Sequence, residues 1–208
     1  MIKKRDLPLF GVIASVALFW FATASYPGGY RLAEHFVSTL FHARALDGAD
    51  NPARYFALPA MLALCASVGA VFWSLAGRCP PGPLATTVRV GGVGAVVYAF
   101  LAVATPMHDL LVTVALAFFV AAVVATLRLA WLARQRGALL GGLVCLALVA
   151  ASSAMYYGGV MSGQLAVAQK LTFGLGGAWL LAVHYTGLGL NRGAQDGPSE
   201  PTPVRGAA

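Results

Sequence analysis

Six apolar runs, each long enough to cross a lipid bilayer, constrain this chain more than any motif. They are Leu7 to Ser25, Tyr55 to Ala76, Val88 to Ala104, Asp109 to Ala133, Ala138 to Tyr156 and Leu165 to Leu188. A hydrocarbon core about 30 Å thick takes roughly 17 to 25 helical residues, which is what each run supplies. In lipid every backbone polar group must be satisfied within its own segment, so continuously apolar spans form helices, and the alternation of barrel strands is absent. The composition agrees: 59% of the residues are hydrophobic and 10% charged, against roughly 25% charged in a soluble domain. A soluble globular fold is excluded, and so is disorder of the whole chain, which needs low hydrophobicity and high charge. The expected fold is all-α, an integral membrane bundle of six transmembrane helices. One domain is expected over residues 1–190, and the stretch from Asn191 to Ala208, rich in Gly, Pro and Ser, is expected to be a disordered cytoplasmic tail.

The net charge of +7 is scattered singly or in short clusters between the apolar runs. It builds no cationic face, so no nucleic-acid partner is expected. The positions instead report topology. Lys3, Lys4, Arg5, Arg78, Arg89, Arg128, Arg134, Arg136, Arg192 and Arg205 fall in connections on one side, and only Arg31, Arg44 and Arg54 on the other. An excess of Lys and Arg marks the cytoplasmic side, which predicts a multi-pass protein of the cell membrane with both termini cytoplasmic. Lys3-Lys4-Arg5, the apolar run and Ala22-Thr23-Ala24 also copy the layout of a cleavable signal peptide. Its removal would leave five spans in the same orientation.

Three cysteines, Cys65, Cys79 and Cys145, make an odd number with no close pair, which speaks against a disulfide framework or a cysteine metal site. Cys79, beside the basic connection, is a weak lipidation candidate. Glycines at Gly137 and Gly141, Gly159 and Gly163, Gly91, Gly92 and Gly94, and Gly174, Gly176 and Gly177 let helix backbones approach closely. They fit packing within the bundle first and a homo-oligomer second. Trp20, Trp73, Trp131 and Trp179 fall near span ends, as an interfacial aromatic belt would.

The one long connection, Tyr26 to Arg54, lies on the external side and opens with a Pro27-Gly28-Gly29 turn. Placed on a helix, Arg31 to Arg44 sets Arg31, Glu34, His35, Ser38, Thr39 and His42 on one face and Leu32, Ala33, Phe36, Val37, Leu40 and Phe41 on the other. This predicts an amphipathic helix lying at the outer surface. His35 and His42 would sit roughly 10 Å apart along its axis, too far to bind one metal as a pair. The plain reading is that both are solvated or hydrogen-bonded.

A second polar group gathers at the start of the fourth span. Thr105, Pro106 and Asp109 read as a cap, a first-turn proline and a first-turn acid. Lys170 is the lone lysine inside a span, five residues in, and roughly 7.5 Å below its outer end. An ionisable group at membrane depth is by default a functional hypothesis with a partner to be named, and Asp109 is the partner expected here. The same pair also reads as a purely structural ion pair between spans four and six. Gln169, Gln164, Tyr156, Tyr157 and His108 would surround it, with the loop as a lid. His184, roughly 21 Å deeper than Lys170, cannot join them and reads as a satisfied interfacial histidine beside Tyr185.

The six spans, the external loop opening Tyr26-Pro27-Gly28-Gly29-Tyr30 and carrying Asn51-Pro52, the His108-Asp109 start to span four and Gln169-Lys170 in span six together resemble a known family. It is the domain of unknown function 998 family, mostly prokaryotic and similar in layout to the eukaryotic DRAM-like membrane proteins. The resemblance runs from about Pro8 to Leu188 and implies a six-helix membrane fold without a settled activity. Family loops continue in a form such as Ile-Ser-Glu-Leu-Gly, whereas Val37-Ser38-Thr39-Leu40-Phe41 lacks the acid and the glycine. A loop carboxylate would then have to come from Glu34, Asp47 or Asp50.

The first functional expectation is a non-catalytic protein binding a lipid headgroup or other membrane component in an outer polar pocket. Its ligand-binding residues would be His108, Asp109, Lys170, Gln169, His35 and His42, it would need no cofactor, and its partner would be a membrane lipid. The alternative is a metal-dependent lipid hydrolase or transferase in which His35, His42, His108 and Asp109 hold a water-activating metal. A transporter is a third reading, with Gly174 to Gly177 as a break in span six.

Overall fold

A computed structural model describes residues 3–188; the expected tail at 191–208 lies outside the described residues. Six helices follow one another: α1 Leu7–Ala24, α2 Arg54–Gly77, α3 Pro83–Ala104, α4 His108–Leu132, α5 Arg136–Gly158 and α6 Leu165–Thr186. Each is long and apolar enough to cross a membrane, and among the described residues the only β-type pairing is an isolated bridge between Arg44 and Asp50. The protein is an all-helical membrane bundle. Each helix packs on the next, and α6 returns to α2. The N-terminal end of α1 meets the C-terminal ends of α2 and α6, so the first and last helices end on the same face.

Helix α3 starts at Pro83, five residues before the apolar run, because Pro83 sits in the first turn, where its missing N–H costs nothing. Hydropathy reports depth in the bilayer, whereas Pro83 reports where the backbone turns helical.

The bundle's interior is built from small and medium residues, and its bulk points outward. Val71, Phe72, Leu75, Val88, Val123 and Val183 fill the main core, while Phe10, Ile13, Val16, Val124, Leu143 and Phe173 are exposed. Lipid tails are as apolar as leucine, so burial against a neighbouring helix gains little and close packing decides which residues go inside. The glycines supply that closeness. A Cβ at Gly92 would lie 2.1 Å from the Phe72 ring, and one at Gly91 would lie 2.9 Å from the Phe118 carbonyl.

Gly141 and Gly142 do the same for Trp179, whose ring a Cβ at either glycine would strike. Trp179 is 7% exposed and donates through Nε1 to the Ala138 carbonyl at 2.9 Å. It is a core residue, contrary to the expectation of an interfacial belt, because the two glycines open a slot that an indole fills. Trp20, Trp73 and Trp131 are exposed, as a belt requires. Around Gly174 to Gly177, α6 runs unbroken, so the break that a transporter reading needs is not there. Cys65, Cys79 and Cys145 are all free and buried. Burial pushes the Cys79 thiol up, and it donates to the Leu75 carbonyl, a poor state for acylation.

The loop between α1 and α2 is ordered, but it is not the continuous amphipathic helix expected over Arg31 to Arg44. Pro27-Gly28-Gly29 makes the expected turn, with both glycines in the left-handed region. The helical part is a short 3₁₀ turn, Val37–Phe41, flanked by extended Phe36 and His42. A small hairpin follows, closed by Asn51 N–H on the Ala43 carbonyl and Ala45 N–H on the Ala49 carbonyl. The backbone groups that a helix would have paired are taken by side chains from elsewhere in the fold, and that tertiary pairing outweighs local propensity.

Candidate functional site

Asn51 organises the loop. It is 2% exposed, its amide donates to the carbonyls of Thr39, Leu40 and His42 at 3.2, 3.4 and 2.9 Å, and its Oδ1 accepts from Ala53 N–H at 3.1 Å. One buried side chain thus gathers the carbonyls leaving the 3₁₀ turn and one N–H entering α2. A second core forms beneath it from Ala22, Tyr26, Leu40, Ala45, Ala53 and Ala57.

Helix α6 holds the other side of the loop. Gln169 Oε1 accepts from Val37 N–H at 3.0 Å. Lys170 donates through Nζ to the His35 carbonyl at 2.6 Å and to Ala166, one turn back, at 3.0 Å. Its ammonium lies 5.5 Å from the centre of the Tyr30 ring, within cation–π range. Tyr30 donates its hydroxyl to the same His35 carbonyl at 3.0 Å. Burial, and after it the neighbouring Tyr26, pushes the Tyr30 phenol up to about 12, so it remains a neutral donor. The His35 ring sits between Tyr26 and Tyr30, its centre 5.5 and 5.4 Å from theirs. His42 is exposed.

Lys170 therefore does not pair with Asp109. The ion pair among the described residues is Arg31 with Glu34 at 2.9 Å, on the exposed part of the loop. Asp109 accepts from the Tyr156 hydroxyl at 2.6 Å, and next to it Thr113 and Tyr157 join hydroxyls at 2.7 Å. The two expected partners share a depth but not an interface: the loop covers α6 at Lys170, while Asp109 turns toward α5. His108 donates through Nδ1 to the Ala102 carbonyl at 3.0 Å, sealing the end of α3. Thr105 also differs from expectation. Its hydroxyl turns back to the Leu101 carbonyl, and Met107 occupies the cap position of α4, because Thr105 is extended and belongs to the end of α3.

The six expected ligand-binding residues thus fall into two clusters at the loop end, Lys170, Gln169 and His35 in one and Asp109 with His108 in the other, while His42 joins neither. Among the described residues no three His, Cys, Asp or Glu side chains are placed to hold a metal, so His35, His42, His108 and Asp109 do not form the centre that the hydrolase reading requires.

The opposite end carries a network that no sequence motif announced. His184 is 3% exposed and donates through Nε2 to the Arg5 carbonyl at 2.9 Å. Arg78 reaches the His184 carbonyl at 2.8 Å and Nδ1 at 3.1 Å. With Nε2 donating to a carbonyl and Nδ1 accepting from a guanidinium, the ring is the neutral Nε2–H tautomer. Burial, and after it the like charge of Arg5, pulls Arg78 down from its usual value, though an arginine has far to fall before it loses its proton. The Arg5 guanidinium also bonds the Tyr185 carbonyl and covers that residue's ring. The satisfied interfacial histidine read from the sequence is what His184 is. Its partners Arg78 and Arg5, distant in sequence, carried no local signal.

Comparison with known protein-family models, curated proteins and solved structures gives no match for this chain.

Proposed function

We propose that this is a non-catalytic protein of the cell membrane that binds a lipid headgroup at its extracytoplasmic end, with Lys170 as the anchoring charge. The observation that carries the reading is the state of Lys170. Its ammonium sits at membrane depth, spends two of its three N–H bonds on carbonyls, and has no carboxylate in ion-pair distance among the described residues. A cation held there by neutral partners has no counter-charge from the described residues, and a headgroup phosphate is the counter-charge a bilayer supplies at that level. Gln169 and His35 position the loop around it. Asp109, exposed and oriented by Tyr156, presents an acceptor on the same end for a cationic or hydroxylated part of a headgroup.

The orientation in this reading rests on the Lys and Arg bias, which puts both termini in the cytoplasm. A reporter active only in the cytoplasm, fused after Ala208, is expected to be active; inactivity reverses the assignment. Kinship with the domain of unknown function 998 family belongs to the same proposal and rests on the ordered run of Tyr26-Pro27-Gly28-Gly29-Tyr30, Asn51-Pro52, His108-Asp109 and Gln169-Lys170.

The direct test is Lys170→Met beside Lys170→Arg, with phospholipid retained through detergent purification measured by mass spectrometry. The expected result is loss of retained lipid in Lys170→Met and its recovery in Lys170→Arg. Unchanged lipid and unchanged melting in Lys170→Met overturn the proposal.

A further inference from the structure

A groove of about 470 Å³ runs down the lipid-facing surface between α2 and α3. On α2 the residues lining it are Leu62, Cys65, Ala66, Gly69, Ala70 and Trp73, a single helical face with small residues as its floor. Leu62 to Trp73 covers roughly 16 Å at 1.5 Å per residue, about half of a 30 Å hydrocarbon core. The groove therefore has the depth of one leaflet. On α3 it is lined by Val93, Val97 and Phe100, and the residue one turn before Val93 on that face is Arg89.

Arg89 sits where a headgroup would be. Its guanidinium lies 4.8 Å from the centre of the Trp73 ring, at the groove's end nearer the Arg5 and Arg78 network. Its Nε is shut off from solvent with no hydrogen-bond partner in the protein, and no carboxylate among the described residues neutralises it. Its guanidinium stacks on an aromatic ring with no carboxylate beside it among the described residues. A planar guanidinium whose charge is unpaired matches the paired oxygens of a phosphate.

We propose that the α2–α3 groove is a binding site for one phospholipid of net negative charge, its phosphate on Arg89 and one acyl chain laid from Trp73 toward Leu62. Charge complementarity selects the anionic lipid over a zwitterionic one, and the one-leaflet length selects a lipid chain over a transmembrane helix, which would need the full bilayer depth. The site is separate from that of Lys170, at the other end of the bundle.

The test uses the full chain in detergent, titrated with phosphatidylglycerol or phosphatidylcholine and followed by native mass spectrometry. Quenching of tryptophan fluorescence by brominated acyl chains, with Trp73→Phe as the reference, reports position. Wild type is expected to prefer phosphatidylglycerol, and Arg89→Gln to weaken that binding roughly tenfold, the scale of one lost charge-assisted bond. Ala66→Leu with Ala70→Leu, both at exposed positions, fills the floor and is expected to abolish chain-dependent quenching of Trp73. Lys170→Met, whose own lipid site lies at the other end, is expected to lower the total lipid bound but to leave the quenching of Trp73 unchanged. Equal binding of the two lipids by wild type and Arg89→Gln overturns the proposal. So does a groove-filling pair that keeps lipid binding but dissociates a dimer, which would make the occupant a second copy.

Discussion

At the Arg5 end, residues at the ends of three helices bond directly to one another, Arg78 and His184 to each other and His184 to the Arg5 carbonyl. At the loop end the helices are joined pairwise, Asp109 and Thr113 of α4 to Tyr156 and Tyr157 of α5. A segment of nearly thirty residues is folded over the bundle and held by Asn51 from beneath and by Gln169 and Lys170 from the side. The first arrangement locks α1, α2 and α6 and leaves nothing to offer a ligand. The second spends side chains on backbone groups of a loop, which leaves a lysine charge unpaired by protein. The contrast is between a network closed on itself, apart from the Arg89 groove, and a loop that leaves Lys170 open, and it can be broken residue by residue.

The largest effect is expected for Asn51→Ala. It removes a buried amide that serves three carbonyls and an N–H, and buried groups left unsatisfied cost about 1–3 kcal/mol each in unfavourable cases, so about 3 kcal/mol in total is expected. The loss should fall on the loop alone. Limited proteolysis is expected to cut between Arg31 and Arg54 in this variant and not in wild type, with the six helices intact by circular dichroism. Global unfolding instead would show that the two ends are not independent.

Next is His184→Phe, which keeps an aromatic ring but removes both nitrogens. Arg78 loses its acceptor at Nδ1 and the Arg5 carbonyl loses its donor, a cost of about 2 kcal/mol by the usual range for buried hydrogen bonds that involve a charge. Thermal melting in detergent should drop, while phospholipid retention through Lys170 should stay at the wild-type level. A variant that loses both would make the Arg5 network part of the Lys170 site's machinery. Gln169→Leu is the converse probe at the loop end, with one neutral bond lost, about 1 kcal/mol, and retained lipid reduced because the loop seats less firmly beside Lys170.

What could be read from the residues alone follows the same division. Depth along a helix is legible: six runs of hydropathy placed six helices, and the counting of residues put Lys170 near one face and His184 near the other. Rotation around a helix, and which helices touch, is not. Lys170 and Asp109 were matched by depth, yet the intervening loop covers one and α5 takes the other. Trp179 looked interfacial by position, but it turns inward because Gly141 and Gly142 leave a slot that only the assembled bundle reveals. The amphipathic pattern of Arg31 to Arg44 misleads in backbone and in faces: Val37 and His35 give their backbone groups to α6, Leu32 is exposed and Thr39 is buried.

The smallest expected effect sharpens the comparison by pH. Tyr30 bonds the same His35 carbonyl as Lys170, and its phenol, ordinarily near 10, is pushed up to about 12 in the folded protein. A raised value means the folded state favours the neutral phenol, so its contribution is complete below the unfolded value of roughly 10 and is lost as pH rises toward 12. Tyr30→Phe removes one hydrogen bond at neutral pH, worth about 1 kcal/mol, and with it this alkaline loss. The melting temperatures of wild type and variant are therefore expected to differ at pH 7 and to converge between roughly pH 10 and 12, while other groups titrate equally in both. A constant gap across that range would mean that Tyr30 does not hold its proton against the loop, and that the hydrogen bond to His35 is not what seats the loop over Lys170.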